Sequence, residues 1–209
     1  MRIEIENLKN IRSLEFDLPG PGLWLLTGVN GSGKSSLLAA LYRIGSGRAF
    51  QDYFKTTAGQ DRIDTFKDTA VRYHLDGETV TYAYGGTRWR PRPSKNSQLL
   101  NDSPYESVVF MGVDAGRIEP FPDEIEARNL REVPEEIKTF LQEVLNDQKW
   151  QDLRYVNTRR GRGNEAYLIR QGRRRRLRYY SEKNFSLGEL CILKLAKKLH
   201  GMAHNSLVL

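Results

Sequence analysis

Residues 28–35 have the sequence Gly28-Val29-Asn30-Gly31-Ser32-Gly33-Lys34-Ser35, with the spacing G-x-x-x-x-G-K-S. The apolar residues 23–27 precede this segment and predict a buried strand, and residues 36–42 follow it with a pattern that predicts a helix. Glycines allow the tight turn between the two elements, so that backbone N–H groups can surround a phosphate chain at the helix N-terminus. A chance glycine-rich turn is the alternative, and the order of strand, loop and helix argues against it. The segment therefore predicts a nucleoside triphosphate site.

The same spacing predicts the roles of individual side chains in the site. Lys34 is expected to reach the β- and γ-phosphates, which makes it a candidate catalytic residue, and the Ser35 hydroxyl is expected to hold Mg²⁺. The predicted cofactors are therefore ATP and Mg²⁺. The predicted nucleotide-binding residues of this segment are Gly28, Asn30, Gly31, Ser32, Gly33, Lys34, Ser35 and Ser36.

Composition limits what surrounds this site. The 209 residues are enough for one domain with a sizeable core. No apolar run approaches the length of a membrane span, and the alternating residues 1–6 predict a strand rather than a signal peptide. A single cysteine, Cys191, fits a reducing compartment. We therefore expect a cytoplasmic protein without a membrane partner, whose net charge of +7 favours an anionic partner.

Patterns along the rest of the chain predict short strands and two further helices. Residues 2–8 and 13–18 alternate on both sides of Lys9-Asn10-Ile11 and predict two strands or a hairpin, and Asp76-Gly77 marks another hairpin. Residues 45–64 and 85–105 have no clear period and are expected to be irregular, the latter as a surface loop. The other predicted elements are a strand at 107–111, a helix from Pro134, a hairpin near Gly172, a helix at about 188–200 and a strand from Ser206.

A second motif, Phe185-Ser186-Leu187-Gly188-Glu189, directly precedes the last predicted helix. Ser186 stands three residues before Glu189, which is the spacing of a capping box and one interpretation of the motif. The order of phosphate loop, long insert, Ser-x-Gly-Glu at a helix start and apolar strand resembles that of an ABC-type ATPase head. The signature of that family usually has the sequence Leu-Ser-Gly-Gly-Gln or Leu-Ser-Gly-Gly-Glu, and Phe185 and Leu187 depart from it. The two interpretations are compatible.

The start of the chain narrows the resemblance. Residues 7–13, Asn7-Leu8-Lys9-Asn10-Ile11-Arg12-Ser13, stand ahead of the loop and resemble the RecF, SMC and OLD-type branch of ABC ATPases. That branch acts in DNA repair, chromosome maintenance and defence against phage. The compact spacing without heptads is unlike a coiled-coil SMC protein and is similar to small AAA-family ATPases that accompany defence effectors such as nucleases. The resemblance covers both ends of the chain and hardly reaches residues 45–180.

The resemblance implies an α/β fold of the P-loop NTPase class. The expected structure is an ABC-ATPase-like head with an N-terminal antiparallel β subdomain and a mixed central sheet flanked by helices. It also implies a homodimer or higher oligomer in which two heads enclose two ATP molecules. Ser186 and Gly188 would then be catalytic residues, because they would contact the γ-phosphate bound to the partner. By the same resemblance Asn10 and Arg12 lie near the nucleotide, although polar residues of a surface hairpin explain them as well.

The resemblance further implies an apolar strand that ends in Asp-Glu, where the Asp supports Mg²⁺ and the Glu activates water. This sequence ends at Ser206-Leu207-Val208-Leu209, where those acids are due. We expect a fragment rather than a natural form that cannot hydrolyse ATP by the usual route. The predicted domain is one head over residues 1–209, incomplete at its C-terminus, with residues 45–180 as an insert. Asp114 is a candidate to face the nucleotide.

An arginine-rich segment with interleaved tyrosines lies between Arg154 and Arg178. Arginine with aromatic side chains suits phosphate backbones and unstacked bases, so DNA or RNA is one predicted partner. Acidic residues of a protein interface are the other explanation, and the smaller patch Arg88-Trp89-Arg90-Pro91-Arg92 has the same two explanations. The candidate nucleic-acid contacts are Arg159, Arg160, Arg162, Arg173, Arg174, Arg175 and Arg176.

The predicted function is that of an ATP-binding and ATP-hydrolysing subunit of the ABC type. It would dimerise around ATP and drive or gate a DNA-repair or antiphage-defence assembly. The alternative is a nucleotide-binding scaffold that never turns over and organises an effector such as a nuclease. A small-molecule P-loop kinase is a further alternative, against which the helix start at Ser186 argues.

Overall fold

The computed structural model describes residues 1–55, 66–112, 116–159, 164–172 and 178–209. These residues belong to two compact units, Met1–Phe110 with Ala203–Leu209, and Met111–Met202. The first unit contains the phosphate-binding motif, and the second contains the motif that begins at Phe185. A single head over residues 1–209 stays a prediction, and Asp114 lies outside the described residues.

Most elements of the described residues lie where the sequence predicts them, including the hairpins at Lys9-Asn10 and Asp76-Gly77. The α-helices are α1 (Lys34–Tyr42), α2 (Ala49–Tyr53), α3 (Glu135–Leu145) and α4 (Leu187–His200). The strands are β1 (Arg2–Leu8), β2 (Ile11–Asp17), β3 (Ala70–Leu75), β4 (Glu78–Tyr84), β5 (Trp89–Arg92), β6 (Ser107–Val109), β7 (Arg131–Glu132), β8 (Leu153–Asn157), β9 (Glu165–Gln171), β10 (Arg178–Ser181) and β11 (Ser206–Val208).

The main sheet of the first unit has five antiparallel strands in the order β2-β1-β3-β4-β5. Ile3 and Ile5 on β1 and Val71 and Tyr73 on β3 are fully buried, since alternate side chains of a strand face the same side of the sheet. Helix α1 packs in the same core. The Tyr73 hydroxyl donates to the carbonyl of Ala40 at 2.7 Å and so ties α1, with the loop before it, to the sheet.

Two segments that the sequence predicts to be irregular carry regular structure. Residues 49–53 form α2, and the expected surface loop at 85–105 contains β5 and a 3-10 helix at Ser94–Asp102. Leu99 and Leu100 are buried, and the rings of Trp89 and Phe50 have centroids 4.8 Å apart. Arg, Pro, Ser and Asn residues separate these few apolar residues. The segment therefore shows neither the helical nor the strand periodicity of apolar residues that would predict its burial.

The buried strand that the sequence predicts at residues 23–27 is not formed. Residues 23–27 lie outside every described strand, and Leu23, Trp24 and Leu25 are exposed. Backbone pairing defines a strand, whereas residues 23–27 have only its apolar composition and pair with none of the described strands. The parallel strands β6 and β11 pair with each other in a separate two-stranded sheet. In the described residues, parallel and antiparallel strands thus lie in different sheets rather than in one mixed sheet.

The second unit has a four-stranded antiparallel sheet in the order β10-β9-β8-β7. Its core joins Leu141 of α3, Leu193 of α4, Trp150 and Phe185. Phe185 is 2% exposed, and its ring centroid lies 5.3 Å from that of Trp150. The core therefore anchors the first residue of the second motif. None of the described helices combines the length and the apolar character that crossing a membrane requires.

Candidate functional site

The phosphate-binding loop has a backbone shape that favours glycine, as Gly31 and Gly33 show. Gly31 has φ +82° and Gly33 has φ +95°, both in the left-handed region that other residues rarely adopt. A Cβ atom at Gly33 would lie 2.5 Å from Cγ1 of Ile11, so there is no room for a side chain. Gly33 is the N-cap of α1, and among the described residues no side chain caps this helix start. The N–H groups of its first turn are therefore available to an anion.

A cavity of about 820 Å³ opens over this loop. Lys9, Lys34 and Lys55 line it together with the loop residues 30–36, and Phe66 adds an aromatic ring. Its lining, as far as the described residues go, contains no Asp or Glu. Three lysines, free helix N–H groups and no carboxylate among the described lining residues suit the cavity to an anion, and its volume lies in the range of small-molecule pockets.

The Lys34 side chain is folded back onto the loop. Its Nζ donates to the carbonyl oxygens of Gly28 at 2.7 Å and Val29 at 2.9 Å. A phosphate oxygen is a stronger partner for an ammonium group than a neutral carbonyl. Lys34 is therefore placed to exchange these carbonyls for the phosphates of a bound ligand.

The cavity collects most of the nucleotide-binding residues that the sequence predicts. Gly28 does not line the cavity, but its carbonyl accepts a hydrogen bond from Lys34. Arg12 is exposed on β2 and does not line the cavity either. Lys9, Lys55 and Phe66 also line the cavity, although the sequence does not predict them. Lys9 could have been predicted because it is adjacent to Asn10, whereas no sequence pattern indicates Lys55 or Phe66. The predicted residues that line the cavity are Asn10, Asn30, Gly31, Ser32, Gly33, Lys34, Ser35 and Ser36.

The predicted Mg²⁺ ligand, Ser35, is the second residue of α1 and lines the cavity. Within the described part of the chain, no group of three or more His, Cys, Asp or Glu side chains could hold a metal ion. Mg²⁺ keeps several waters and is bound through few protein groups together with substrate phosphates. The residues present thus fit an ion held by one hydroxyl and by the phosphates of a nucleotide.

Comparison with known proteins gives the family of this chain. The family described as AAA domain matches residues 2–154, a range that contains the loop and all residues lining its cavity. The chain belongs to the AAA domain family. The resemblance to an ABC-type ATPase head of the RecF branch is confirmed, because proteins of that branch match over about half of the chain.

This AAA domain chain is similar to proteins named DNA replication and repair protein RecF. The protein of Shewanella amazonensis is 41% identical over 135 residues, which are 56% of this chain and 36% of that protein. The protein of Shewanella sediminis is 48% identical over 81 residues, which are 37% of this chain and 21% of that protein. The protein of Nitrosococcus oceani is 30% identical over 122 residues, which are 53% of this chain and 33% of that protein. The matched chain thus spans about a third of these relatives or less. No solved structure matches the chain significantly.

The second motif forms the start of α4. The Ser186 hydroxyl oxygen accepts a hydrogen bond from the Glu189 N–H at 3.2 Å, and the Glu189 carboxylate accepts one from the Ser186 N–H at 2.7 Å, which confirms the capping box. Lys149 donates to the same carboxylate at 2.6 Å. Burial alone would raise the pKa of Glu189, but the hydrogen bonds from Lys149 and Ser186 lower it below its ordinary value. Leu187 and Gly188 are exposed, so this helix start is open to solvent.

The arginine-rich segment is only partly described. Arg159 forms an ion pair with Asp123, and Arg154 and Arg170 also pair with carboxylates of the same unit. For these three arginines, intramolecular pairing accounts for the charge. The other candidate contacts lie outside the described residues: Arg160, Arg162, Arg173, Arg174, Arg175 and Arg176.

The smaller patch at residues 88–92 differs from that segment. Arg88, Arg90 and Arg92 are exposed, and the last two lie on the edge strand β5 at alternate positions, which face the same side of the sheet. Within the described part of the chain, no ion pair or side-chain hydrogen bond involves these three arginines. The patch therefore presents positive charge that no carboxylate of the described residues neutralises.

Proposed function

We propose that this chain binds ATP in the cavity over residues 28–35 and hydrolyses it as part of an ABC-type ATPase in DNA repair. One observation carries the proposal: the cavity joins the free N–H groups at the start of α1 to three lysines, with no carboxylate among its described lining residues. This set of groups favours a polyanion over a cation or a neutral ligand. The relatives named DNA replication and repair protein RecF support the setting in DNA repair.

The residues of the site have distinct parts in the proposed binding. Loop N–H groups contact the phosphate oxygens, Lys34 neutralises the β- and γ-phosphates, and the Ser35 hydroxyl holds Mg²⁺. Bound Mg²⁺ supplies further neutralisation of the phosphates. The described lining of the cavity contains no carboxylate that could activate water. In this proposal, the general base for hydrolysis is a residue outside that lining.

Calorimetric titration with ATP and with AMP, each in the presence of Mg²⁺, tests the proposed ligand. AMP lacks the phosphates that Lys34 neutralises, so ATP should bind at least about tenfold more tightly. Equal affinity for the two nucleotides would contradict the proposal. Measurement of phosphate release then distinguishes an ATP-hydrolysing subunit from a nucleotide-binding scaffold. Tight ATP binding without turnover would favour the scaffold that organises an effector.

We further propose that the start of α4 contacts the nucleotide bound to a second copy of the chain. The cap uses Ser186 as a hydrogen-bond acceptor, which leaves its hydroxyl proton free to donate to a phosphate oxygen. Gly188 is exposed beside it, and Leu187 is 47% exposed, so an apolar side chain faces solvent at this helix start. These features support a homodimer that encloses ATP, as the family resemblance implies.

We also propose that the patch formed by Arg88, Arg90 and Arg92 contacts DNA. Its support is the lack of intramolecular carboxylate partners in the described residues, together with the names of the RecF relatives. Charged residues on an edge strand also protect a sheet against pairing with another sheet, and this explanation predicts no affinity for DNA. The two explanations therefore differ in a measurable property.

Substitution of Arg90 and Arg92 by Ser, singly and together, should lower the affinity for duplex DNA and its dependence on salt. Each lost phosphate contact should reduce the slope of log K against log salt by about 0.9. The matched control is Arg12→Ser, which removes the same charge from an exposed position on β2, at the opposite edge of the same sheet. An unchanged slope in the double variant, or an equal change in the control, would leave edge protection as the role of the patch.

A further inference from the structure

The turn between β1 and β2 contacts the phosphate-binding loop at two points. The side-chain amide of Asn10 donates to the carbonyl of Gly31 at 2.8 Å, and the Ile11 side chain occupies the space that a Cβ atom at Gly33 would need. Lys9, the residue before them, has φ +52° and makes the turn tight. The turn between β1 and β2 is therefore in direct contact with the phosphate-binding loop.

The Asn10 contact fixes one peptide group of the loop. The Gly31 carbonyl belongs to the same planar unit as the Ser32 N–H, and this N–H donates to the carbonyl of Val29 at 3.2 Å. The unit is thus held at its oxygen by Asn10 and at its nitrogen by Val29. A peptide group that is held at both ends cannot rotate freely, and this restricts the backbone from which the following N–H groups project.

We infer that Asn10 is a positioning residue, which holds the loop in its phosphate-binding conformation through the Gly31 carbonyl. The inference rests on the proposed ATP site and deepens it, because it gives Asn10 a role through the loop rather than a contact with base or sugar. Asn7 provides a comparison within the same cavity. Its amide donates to the carbonyl of Asp68 at 3.1 Å and not to the loop.

The test compares two ligands that share a phosphate chain, ATP and inorganic tripolyphosphate, each with Mg²⁺. If Asn10 acts through the loop, Asn10→Ala should weaken both ligands by the same factor, about five- to tenfold, because both use the loop N–H groups. Asn10→Leu, which is similar in size but lacks the donor and adds no charge, should weaken both about as much. The control Asn146→Gly removes an amide side chain that does not line the cavity, from an exposed position whose φ of +48° glycine tolerates, and it should leave tripolyphosphate binding unchanged.

A second readout reports on the loop itself. In Asn10→Ala, the amide hydrogen of Ser32 should exchange faster, whereas the amide of Ile5 on β1 should exchange as in the wild type, since only the loop is released. Weaker ATP binding with unchanged tripolyphosphate binding would overturn the inference and assign Asn10 to the nucleoside. Unchanged affinity for both ligands would overturn it as well. A wild-type chain that binds neither ligand would instead contradict the proposed ATP site.

Discussion

Lys34→Ala should weaken ATP binding about 100-fold, because it removes a charged donor from the β- and γ-phosphates. In the structure its Nζ is already inside the loop, bonded to the carbonyls of Gly28 and Val29. Gly28 and Val29 are exposed, so water can replace the lost donor at their carbonyls and the free energy of unfolding should change little. Titration calorimetry measures the affinity, and a thermal melt checks the fold.

Lys55→Ala is the matched control for this prediction. Lys55 lines the same cavity but lies outside the loop, so it contributes positive charge without a place at the helix N-terminus. Its removal should weaken ATP binding by no more than about fivefold, which is the size of a screened charge effect. Equal losses in the two variants would mean that the cavity attracts anions without using the loop, and the assignment of the site would fail.

Ser186→Asp should abolish ATP-dependent dimerisation while the melting temperature stays nearly unchanged. Asp is as good an N-cap as Ser, so α4 keeps its start. In a closed dimer, however, the new carboxylate would stand against the γ-phosphate held by the partner, and two such negative charges repel strongly away from water. Light scattering with and without ATP measures the association.

Ser94→Asp controls for the added charge. Ser94 is exposed and begins the 3-10 helix at Ser94–Asp102, in the unit that does not contain α4. This variant should dimerise with ATP like the wild type. If Ser186→Asp also dimerises like the wild type, the segment from Phe185 to Glu189 acts only as a helix start, and the proposed contact between two copies is wrong.

The phosphate loop and the helix caps can be predicted from the sequence because their signals are local. Gly31 and Gly33 are required by backbone conformation within the loop itself, and Ser186 with Glu189 closes a capping box over four residues. The turn at Asp76-Gly77 is of the same kind, since it depends on two adjacent residues with positive φ. Each of these features is decided by residues that are neighbours in the sequence.

The features that the sequence does not predict depend on distant residues. The apolar residues 23–27 have the composition of a buried strand, but a strand forms only where another offers free backbone groups, and composition does not identify that partner. Lys55 follows α2 and Phe66 precedes β3, and no local motif indicates that either residue lines the cavity. The bond from Asn10 to Gly31 joins residues 21 positions apart, and its geometry becomes visible only in the folded chain.

A crystal structure with Mg²⁺ and a non-hydrolysable ATP analogue tests the central claim most directly, namely that the cavity over residues 28–35 holds a nucleoside triphosphate. The predicted result is a triphosphate enclosed by the loop, with Lys34 Nζ moved from the carbonyls of Gly28 and Val29 to the β- and γ-phosphates and with Mg²⁺ on the Ser35 hydroxyl. An analogue bound elsewhere, or a loop in which Lys34 still contacts both carbonyls beside the bound nucleotide, would contradict it.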